Sequence, residues 1–489
     1  MNTLQWQVVS FISKFSSILM GLVSTIIVLR IISPEDWGII GLAMSVVGIV
    51  SVIQHLGLAT GLNREIANEK EPQYIPSIIY TALLLRLPLS LLIATSMTVF
   101  AQYISIHFYN NPALTFPIQL LAILVIIEGV QDIFSTSVGA LKLFRGLFVF
   151  QVVLSFINFI ANVAGVTYFG SNGYFYAKYV YFGSSFLVYG IVLFRHFGKQ
   201  SVLVLHIEWN KVRTYIKGLL GIGWVSFLQK ILNIYWLRLP TIIMGTLFSA
   251  ATLGVYNFAD YFTQRLSIFA DAATDVSVPV FLRTYQENYE QFKKDFIHNF
   301  LRVTVITIFF AVFGTLFLPE FLAITGLTKY EGVQSVFLPS ALAMSMFSIM
   351  STLSVLFVAA YARKHMLISY ALIFVTTLIT LTPFAKMWGI AGGGSALALG
   401  AFIGLLYYIL VLWKQFALPL ITIKTLYLFT PPVLLFAINT NVSIRIVLSI
   451  IFLILFTLFL RHFDRTLFDM LTAKVQKIFS QKSKYTPRV

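Results

Sequence analysis

Long apolar runs alternate with short polar breaks along almost the whole chain. Each run is longer than the roughly ten residues of an alternating barrel strand, so each predicts a membrane-spanning helix. Fourteen such spans are predicted, at about 8–30, 37–62, 76–101, 114–141, 147–169, 174–196, 219–246, 253–281, 297–318, 334–360, 366–384, 388–413, 425–439 and 444–461. The pattern therefore predicts an all-α polytopic membrane protein.

Composition supports this interpretation. Of 489 residues, 58% are hydrophobic and only 11% are charged. A soluble globular protein carries about 25% charged residues, so a soluble enzyme of this size is excluded. Cysteine is absent, which excludes disulfides and thiolate metal sites.

The basic residues predict the orientation. Loops and tail on one side of the predicted spans carry 23 lysines and arginines, whereas the other side carries four. The positive-inside rule then places both termini of this multi-pass protein in the cytoplasm. Topology thus accounts for most of the net charge of +16, and no nucleic-acid partner is needed to explain it.

An internal repeat links the two halves of the chain. When the sequence is shifted by 216 residues, residues 10–43 fall on 226–259 with ten of 34 positions identical. Matching pairs include Ser33 with Ser249 and Gly38 with Gly254, and the same shift places Arg86 on Arg302. Chance would give roughly a tenth of positions, so the excess indicates a duplication. Six spans separate equivalent points, which predicts two parallel repeats related by an axis along the membrane normal.

This repeat predicts the domain organisation. The predicted parts are an N-terminal six-helix lobe (1–197), a cytoplasmic linker (198–218), a C-terminal six-helix lobe (219–413), two extra spans (414–462) and a basic cytoplasmic tail (463–489).

Charged side chains inside spans are candidate functional residues, because burying a charge in a membrane is expensive. A repeat-related set of cations would converge on a central cavity, where lysine and arginine suit an anionic ligand such as a diphosphate. The predicted substrate-binding cations are Lys14, Arg86, Lys230, Arg265 and Arg302. Each of them has an alternative interpretation as an ion-paired or snorkelling side chain.

Acidic side chains inside spans form a second candidate group. Glu128 and Asp132 are spaced i,i+4, and Asp271 is followed at the same spacing by Asp275, so each pair shares a helix face. Two such carboxylates can hold a proton or a cation, or they can pair with Arg86 or Arg265. The candidate ion-coupling or pairing residues are Glu128, Asp132, Asp260 and Asp271. Under the 216-residue shift, His55 aligns with Asp271. His55 is therefore either a polar residue that lines a cavity or a residue packed between helices with a hydrogen-bonded side chain.

Motifs for enzymatic chemistry are lacking. The sequence contains neither a GxxxxGK[ST] phosphate loop nor an HExxH zinc motif, and its seven histidines show no ligand spacing. We therefore expect a protein that is not an enzyme, with no catalytic residues, metal or cofactor.

Two stretches resemble a known family. Residues 29–43, LRIISPEDWGIIGLA, resemble the LGPEDFGLYALA-type stretch of polysaccharide-exporting flippases, and residues 245–259, GTLFSAATLGVYNFA, resemble the second-half signature of that family. These flippases form the O-antigen (Wzx-type) branch of the multidrug/oligosaccharidyl-lipid/polysaccharide (MOP) superfamily. One departure is Arg238, which stands in the late part of span 7 where the family often has an acid.

The resemblance implies two six-helix lobes around a central cavity, alternating access and a cargo built on a polyprenyl diphosphate. In lipid II flippases of the superfamily, two extra C-terminal spans form a groove for the polyprenyl tail, a role that spans 13 and 14 would fill here. The implied partners are a lipid-linked oligosaccharide, membrane lipids and the polysaccharide polymerase or export machinery.

Two other functions fit the sequence less well. A cation-coupled multidrug antiporter of the same superfamily needs acids for its coupling ion, but span 1 contributes a lysine and no acid. A membrane-embedded glycosyltransferase or polymerase would need a large soluble loop, which the span pattern does not leave room for. The sequence therefore favours a flippase.

Overall fold

The computed structural model describes residues 3–199, 209–267, 281–360, 362–416 and 418. Within these ranges the ordered elements are all helical, as the apolar runs predicted. The α-helices are α1 (Thr3–Ile31), α2 (Pro34–Ser51), α3 (Leu58–Asn68), α4 (Ile75–Tyr103), α5 (Thr115–Ala140), α6 (Phe144–Lys199), α7 (Trp209–Leu247), α8 (Ala250–Thr263), α9 (Tyr289–Leu316), α10 (Leu318–Thr325), α11 (Val333–Ala359), α12 (Lys364–Trp388) and α13 (Ala391–Phe416).

Eight stretches of the described chain are long and apolar enough to cross a membrane, and Ser16–Ile31 adds a shorter apolar helix. One of the eight, Val149–Gly198, contains two predicted spans, because Gly170 turns the chain with φ 60° and ψ −146°. The prediction of a multi-pass α-helical membrane protein is confirmed. The two predicted C-terminal spans and the basic tail lie outside the described residues, apart from the first positions of 414–462.

Helix α7 begins at Trp209, inside the stretch that the sequence predicted as a linker. Tyr215 and Leu219 are buried on one face of this added segment, at the i,i+4 spacing of a helix that packs on its neighbours. Their burial explains why the polar and basic residues around them are helical here.

The chain divides into two compact units. The first contains Met1–Phe262, Phe321–Ser340 and Ala362–Gly404, and the second contains Thr263–Glu320, Ala341–Tyr361 and Leu405–Val489. In the first unit, an apolar core joins α3, α4, α5, α6 and the start of α7. In the second unit, the Ser345 hydroxyl on α11 donates to the Thr307 carbonyl on α9 (3.3 Å), and Tyr289 donates to the Phe416 carbonyl (2.8 Å).

The repeat is visible in two matching helix starts. Ser33 caps α2: its hydroxyl accepts from the Asp36 amide (3.0 Å), and the Asp36 carboxylate accepts from the Ser33 amide (3.3 Å). At the equivalent start of α8, the Ser249 hydroxyl accepts from the Thr252 amide (3.3 Å). Such caps satisfy amides that have no partner inside the helix.

We expect Ser33→Ala to lower the free energy of unfolding by about 1 kcal/mol and Ser249→Ala to lower it by no more than that, because only Ser33 has a reciprocal capping box. Thermal unfolding of the purified protein in detergent measures the two changes. A larger loss for Ser249→Ala than for Ser33→Ala would contradict the assignment.

Helices α2 and α8 cross at repeat-related glycines. A Cβ atom on Gly38 would lie 1.9 Å from the Ala250 carbonyl oxygen, and one on Gly254 would lie 1.8 Å from the Pro34 carbonyl oxygen. Residues 34 and 38 are the repeat partners of 250 and 254, so the contact is reciprocal. A pseudo-two-fold axis therefore passes through this crossing, as the parallel repeat predicted.

The repeat also relates two loops of the first unit. Asn110 and Gly326 are repeat partners, and both are left-handed, with φ 47° and 66°. Each precedes a single 3-10 turn, Pro112–Leu114 and Thr328–Tyr330. In the second loop, Lys329 donates to the Arg30 and Ile32 carbonyls at the end of α1, where a cation is favourable. The duplication therefore extends well beyond the residues that reveal it in the sequence.

Candidate functional site

Arg86 lies at the centre of a charged cluster inside the first unit. It is on α4, and its side chain is only 2% exposed. Its Nη1 donates to Asp132 Oδ2 on α5 at 2.5 Å, and its Nη2 lies 2.9 Å from His55 Nδ1. The sequence left open whether Asp132 pairs with Arg86 or Arg265, and the structure shows the pair with Arg86.

Three uncharged residues complete the packing around Arg86. Gln54 and Ser90 are fully buried, and the Ser90 hydroxyl donates to Gln54 Oε1 at 2.6 Å. Helix α5 comes close at Gly129, where a Cβ atom would lie 2.9 Å from both Gln54 Oε1 and Ser90 Oγ. A larger residue at Gly129 would therefore push α5, and with it Asp132, away from Arg86.

Lys230 and Glu128 add one charge of each sign. Lys230 on α7 is exposed, and it interacts electrostatically with Arg86, Glu128 and Asp132. Glu128 lies one helical turn before Asp132 and is partly exposed. The described cluster thus combines two cations with two carboxylates. Among the residues of this cluster, Lys230 is the cation that remains accessible.

The other predicted site residues lie elsewhere. Asp260 is 8% exposed on α8 in the first unit, whereas Arg265 and Arg302 belong to the second unit, where both are partly exposed. The Lys14 side chain and the whole of Asp271 lie outside the described residues. The convergence of all five predicted cations on one cavity stays a prediction.

Sequence reasoning missed Gln54, Ser90 and Gly129. The signal that could have found Ser90 is its position one helical turn after Arg86, on the same face of α4. Gln54 stands next to His55 within an apolar run, where a polar side chain needs a buried partner. Within the described residues, no group of three or more histidine or acidic side chains could hold a metal ion.

A buried, ion-paired arginine in a membrane helix is typical of transport proteins, and comparison with known families identifies the chain more closely. A sequence model of the family described as "Polysaccharide biosynthesis protein" matches residues 27–330, which is more than half of the chain. The chain belongs to the polysaccharide biosynthesis protein family. The matched range includes Arg86, Asp132, His55 and Lys230.

Solved structures show the fold of this family member. The lipid II flippase MurJ in an inward closed conformation matches with a TM-score of 0.67 at 13% identity, covering 94% of this chain and 99% of that chain. An inward-facing multidrug resistance transporter of the MATE family in the MOP superfamily matches with a TM-score of 0.66 at 17% identity, covering 81% and 94%.

A third structure is a MOP superfamily transporter from Pyrococcus furiosus, with a TM-score of 0.61 at 16% identity, covering 85% of this chain and 96% of that chain. No curated protein sequence matches the chain at a significant level. The polysaccharide biosynthesis protein therefore has the fold of MOP superfamily transporters, which confirms the resemblance seen in the sequence.

Proposed function

We propose that this protein is a flippase that moves a polyprenyl-diphosphate-linked oligosaccharide, an O-antigen or other surface polysaccharide unit, across the bacterial inner membrane by alternating access. The observation that carries the proposal is the charged cluster around Arg86, which lies inside an apolar helical unit of a polysaccharide biosynthesis family member. A charge in such a place is costly and marks a path for polar cargo. The fold shared with a lipid II flippase supports the same class of substrate.

Within this proposal, Lys230 contacts the diphosphate. It is the accessible cation of the described cluster, and an ammonium group is a strong point charge for phosphate oxygens. Arg86 is buried and already bonded to Asp132, so it holds the cluster together instead of releasing its partner for each substrate. Lys14, Arg265 and Arg302 remain proposed contacts along the path.

Further features extend the proposal. Spans 13 and 14 would hold the polyprenyl tail, and both termini would face the cytoplasm, where the basic loops lie. A polysaccharide polymerase or export machinery would receive the cargo on the outer side. Net transport would follow removal of that product or an ion gradient.

An alternative function is cation-coupled multidrug antiport, and two observations favour it. A multidrug transporter of the MATE family shares the fold, and Glu128 and Asp132 place two carboxylates in the cluster. Because Asp132 is bonded to Arg86, however, it is less suited to bind a drug cation.

Deletion of the gene tests the proposal. We expect a polyprenyl-diphosphate oligosaccharide to accumulate and a surface polymer to disappear, as measured by mass spectrometry of lipid extracts.

We expect the Lys230→Gln variant to restore export poorly in the deletion strain, because it removes the accessible cation. The matched control Lys294→Gln, which changes an exposed lysine at the start of α9, should restore export fully.

An unchanged lipid profile together with new sensitivity to cationic drugs would overturn the proposal and favour the antiporter. Full export by Lys230→Gln, at wild-type protein levels, would overturn the role of Lys230 but not that of the flippase.

A further inference from the structure

The second predicted span is broken in the middle, next to the charged cluster. Helix α2 ends at Ser51, a 3-10 turn covers Val52–His55, and α3 begins at Leu58. Between them, Leu56 and Gly57 are both left-handed, with φ 44° and 71°. This conformation costs a leucine roughly 1–2 kcal/mol, so contacts elsewhere must hold the break in place.

The His55 side chain supplies one of these contacts. Its Nδ1 lies 2.9 Å from Nη2 of Arg86. A guanidinium group can only donate, so Nδ1 must accept and carry no proton. The imidazole in this arrangement is therefore neutral, and it ties the broken span to the buried arginine on α4.

A second partner stands close to the same nitrogen. Asp132 Oδ2 lies 3.4 Å from His55 Nδ1. A protonated Nδ1 could no longer accept from Arg86, and it would instead donate to the carboxylate while the two cations repel each other. The charged groups that interact with His55 are Arg86 from α4, Asp132 from α5 and Lys230 from α7, with Glu128 one turn from Asp132. A single proton thus decides which residue the imidazole contacts.

The break leads directly into a close contact between α3 and α7. A Cβ atom on Gly57 would lie 2.3 Å from the Gly223 carbonyl oxygen, and one on Gly61 would lie 2.2 Å from the Leu219 carbonyl oxygen. The contact continues where the Tyr215 hydroxyl donates to Glu69 Oε2 at 3.3 Å. Gly57 follows His55 by only two residues, so a change at His55 acts at the start of this contact.

Beyond α3, Lys211 of α7 lies over the ring of Tyr74, with Nζ 3.0 Å from the ring centroid. Helix α7 therefore packs against this part of the chain from Gly57 to Tyr74. Because the two backbones touch at glycine, there is little room for a small adjustment, and a shift of α3 would separate the helices as a unit.

We propose that His55 is a proton-operated switch. When the imidazole is neutral, it accepts from Arg86 and holds the break in span 2 so that α3 packs on α7. When the imidazole is protonated, it turns to Asp132 and releases the contact between α3 and α7. The part that this switch would play in a transport cycle rests on the proposed function. The switch itself is a property of the protein without substrate, so the two are tested separately.

The test measures the separation of α3 and α7 at two pH values. The chain has no cysteine, so Ala67→Cys at an exposed position of α3 and Asn210→Cys at an exposed position of α7 introduce the only two thiols. Nitroxide labels are attached first, since thiol reactivity itself depends on pH. Electron paramagnetic resonance then measures the distance between labels on the full chain in lipid nanodiscs. We expect one short distance at about pH 8 and a large added population of longer distances at about pH 4, well below the pH at which a free imidazole takes up a proton.

His55→Gln separates the switch from a general effect of acid. Glutamine can accept from Arg86 but does not titrate, so we expect the short distance at both pH values. The matched control His107→Gln changes an exposed histidine in the π-helical turn Ile104–Phe108, where it stacks on Tyr103, and it should keep the pH response of the parent. His55→Asn provides a second non-titrating variant if the glutamine variant yields little folded protein.

Two results would overturn the proposal. One is an unchanged distance in the parent protein between the two pH values, which needs no variant at His55. The other is an undiminished pH response in a folded His55→Gln or His55→Asn protein. Neither result bears on the flippase function, which the lipid profile of the deletion strain decides independently.

Discussion

Asp132→Ala is expected to lower the free energy of unfolding by about 3 kcal/mol, because it leaves the Arg86 guanidinium buried without its carboxylate partner. Arg86 is 2% exposed and cannot turn to water, and its remaining described partner is His55. Thermal unfolding in detergent, followed by the loss of monodisperse protein on size exclusion, measures the change.

A surface ion pair provides the control for this prediction. Arg283 and Glu287 form an i,i+4 pair in which both side chains are mostly exposed. Glu287→Ala should therefore change stability by less than about 1 kcal/mol. Similar losses for Asp132→Ala and Glu287→Ala would contradict the central place of the Arg86–Asp132 pair.

Gly38→Ala and Gly254→Ala are expected to abolish both accumulation of folded protein and polysaccharide export. At each position a Cβ atom would lie less than 2 Å from a carbonyl oxygen of the crossing helix, so α2 and α8 would have to separate. Overpacking of this kind acts on backbone and cannot be relieved by a change of rotamer. Export in the deletion strain and the yield of monodisperse protein report the two losses.

Gly21→Ala is the matched control, because Gly21 lies within α1 and has no atom near its added Cβ. We expect this variant to export normally and to be as stable as the parent or slightly more stable, since alanine favours a helix over glycine. Normal export by Gly38→Ala would show that the α2–α8 crossing is not needed in the working protein.

Much of the fold could be predicted from the sequence because the membrane requires it. A span must be apolar and helical, so hydropathy alone indicates most of the helices. The repeat was visible in the sequence because two residue types have the same role in both halves. Ser33 and its partner Ser249 each cap a helix, and Gly38 and its partner Gly254 each allow two backbones to cross closely. Loops such as 110–114 and 326–330 share a shape but not a sequence, so shifting the chain on itself does not reveal them.

The candidate site was predictable only in part. Arg86 and Asp132 stood out as charges within apolar runs, but their pairing depends on how α4 and α5 are rotated about their axes. A hydrophobic pattern does not fix that rotation for helices that are apolar on every side. Nothing in the sequence marks Leu56 as left-handed, since leucine rarely adopts that conformation unless its surroundings impose it. The break in span 2 and its link to His55 therefore emerged only from the structure.

The reciprocal crossing of α2 and α8 also has an evolutionary consequence. In it, the first-half glycine contacts the second-half residue at 250, and the second-half glycine contacts the first-half residue at 34. Such self-complementarity is the property of an isologous dimer interface, in which one surface meets a copy of itself. The same geometry would have joined two identical half-length chains before a gene duplication fused them. In that ancestor, a single glycine codon would have encoded both sides of the contact, whereas in the present chain the two glycines can mutate independently.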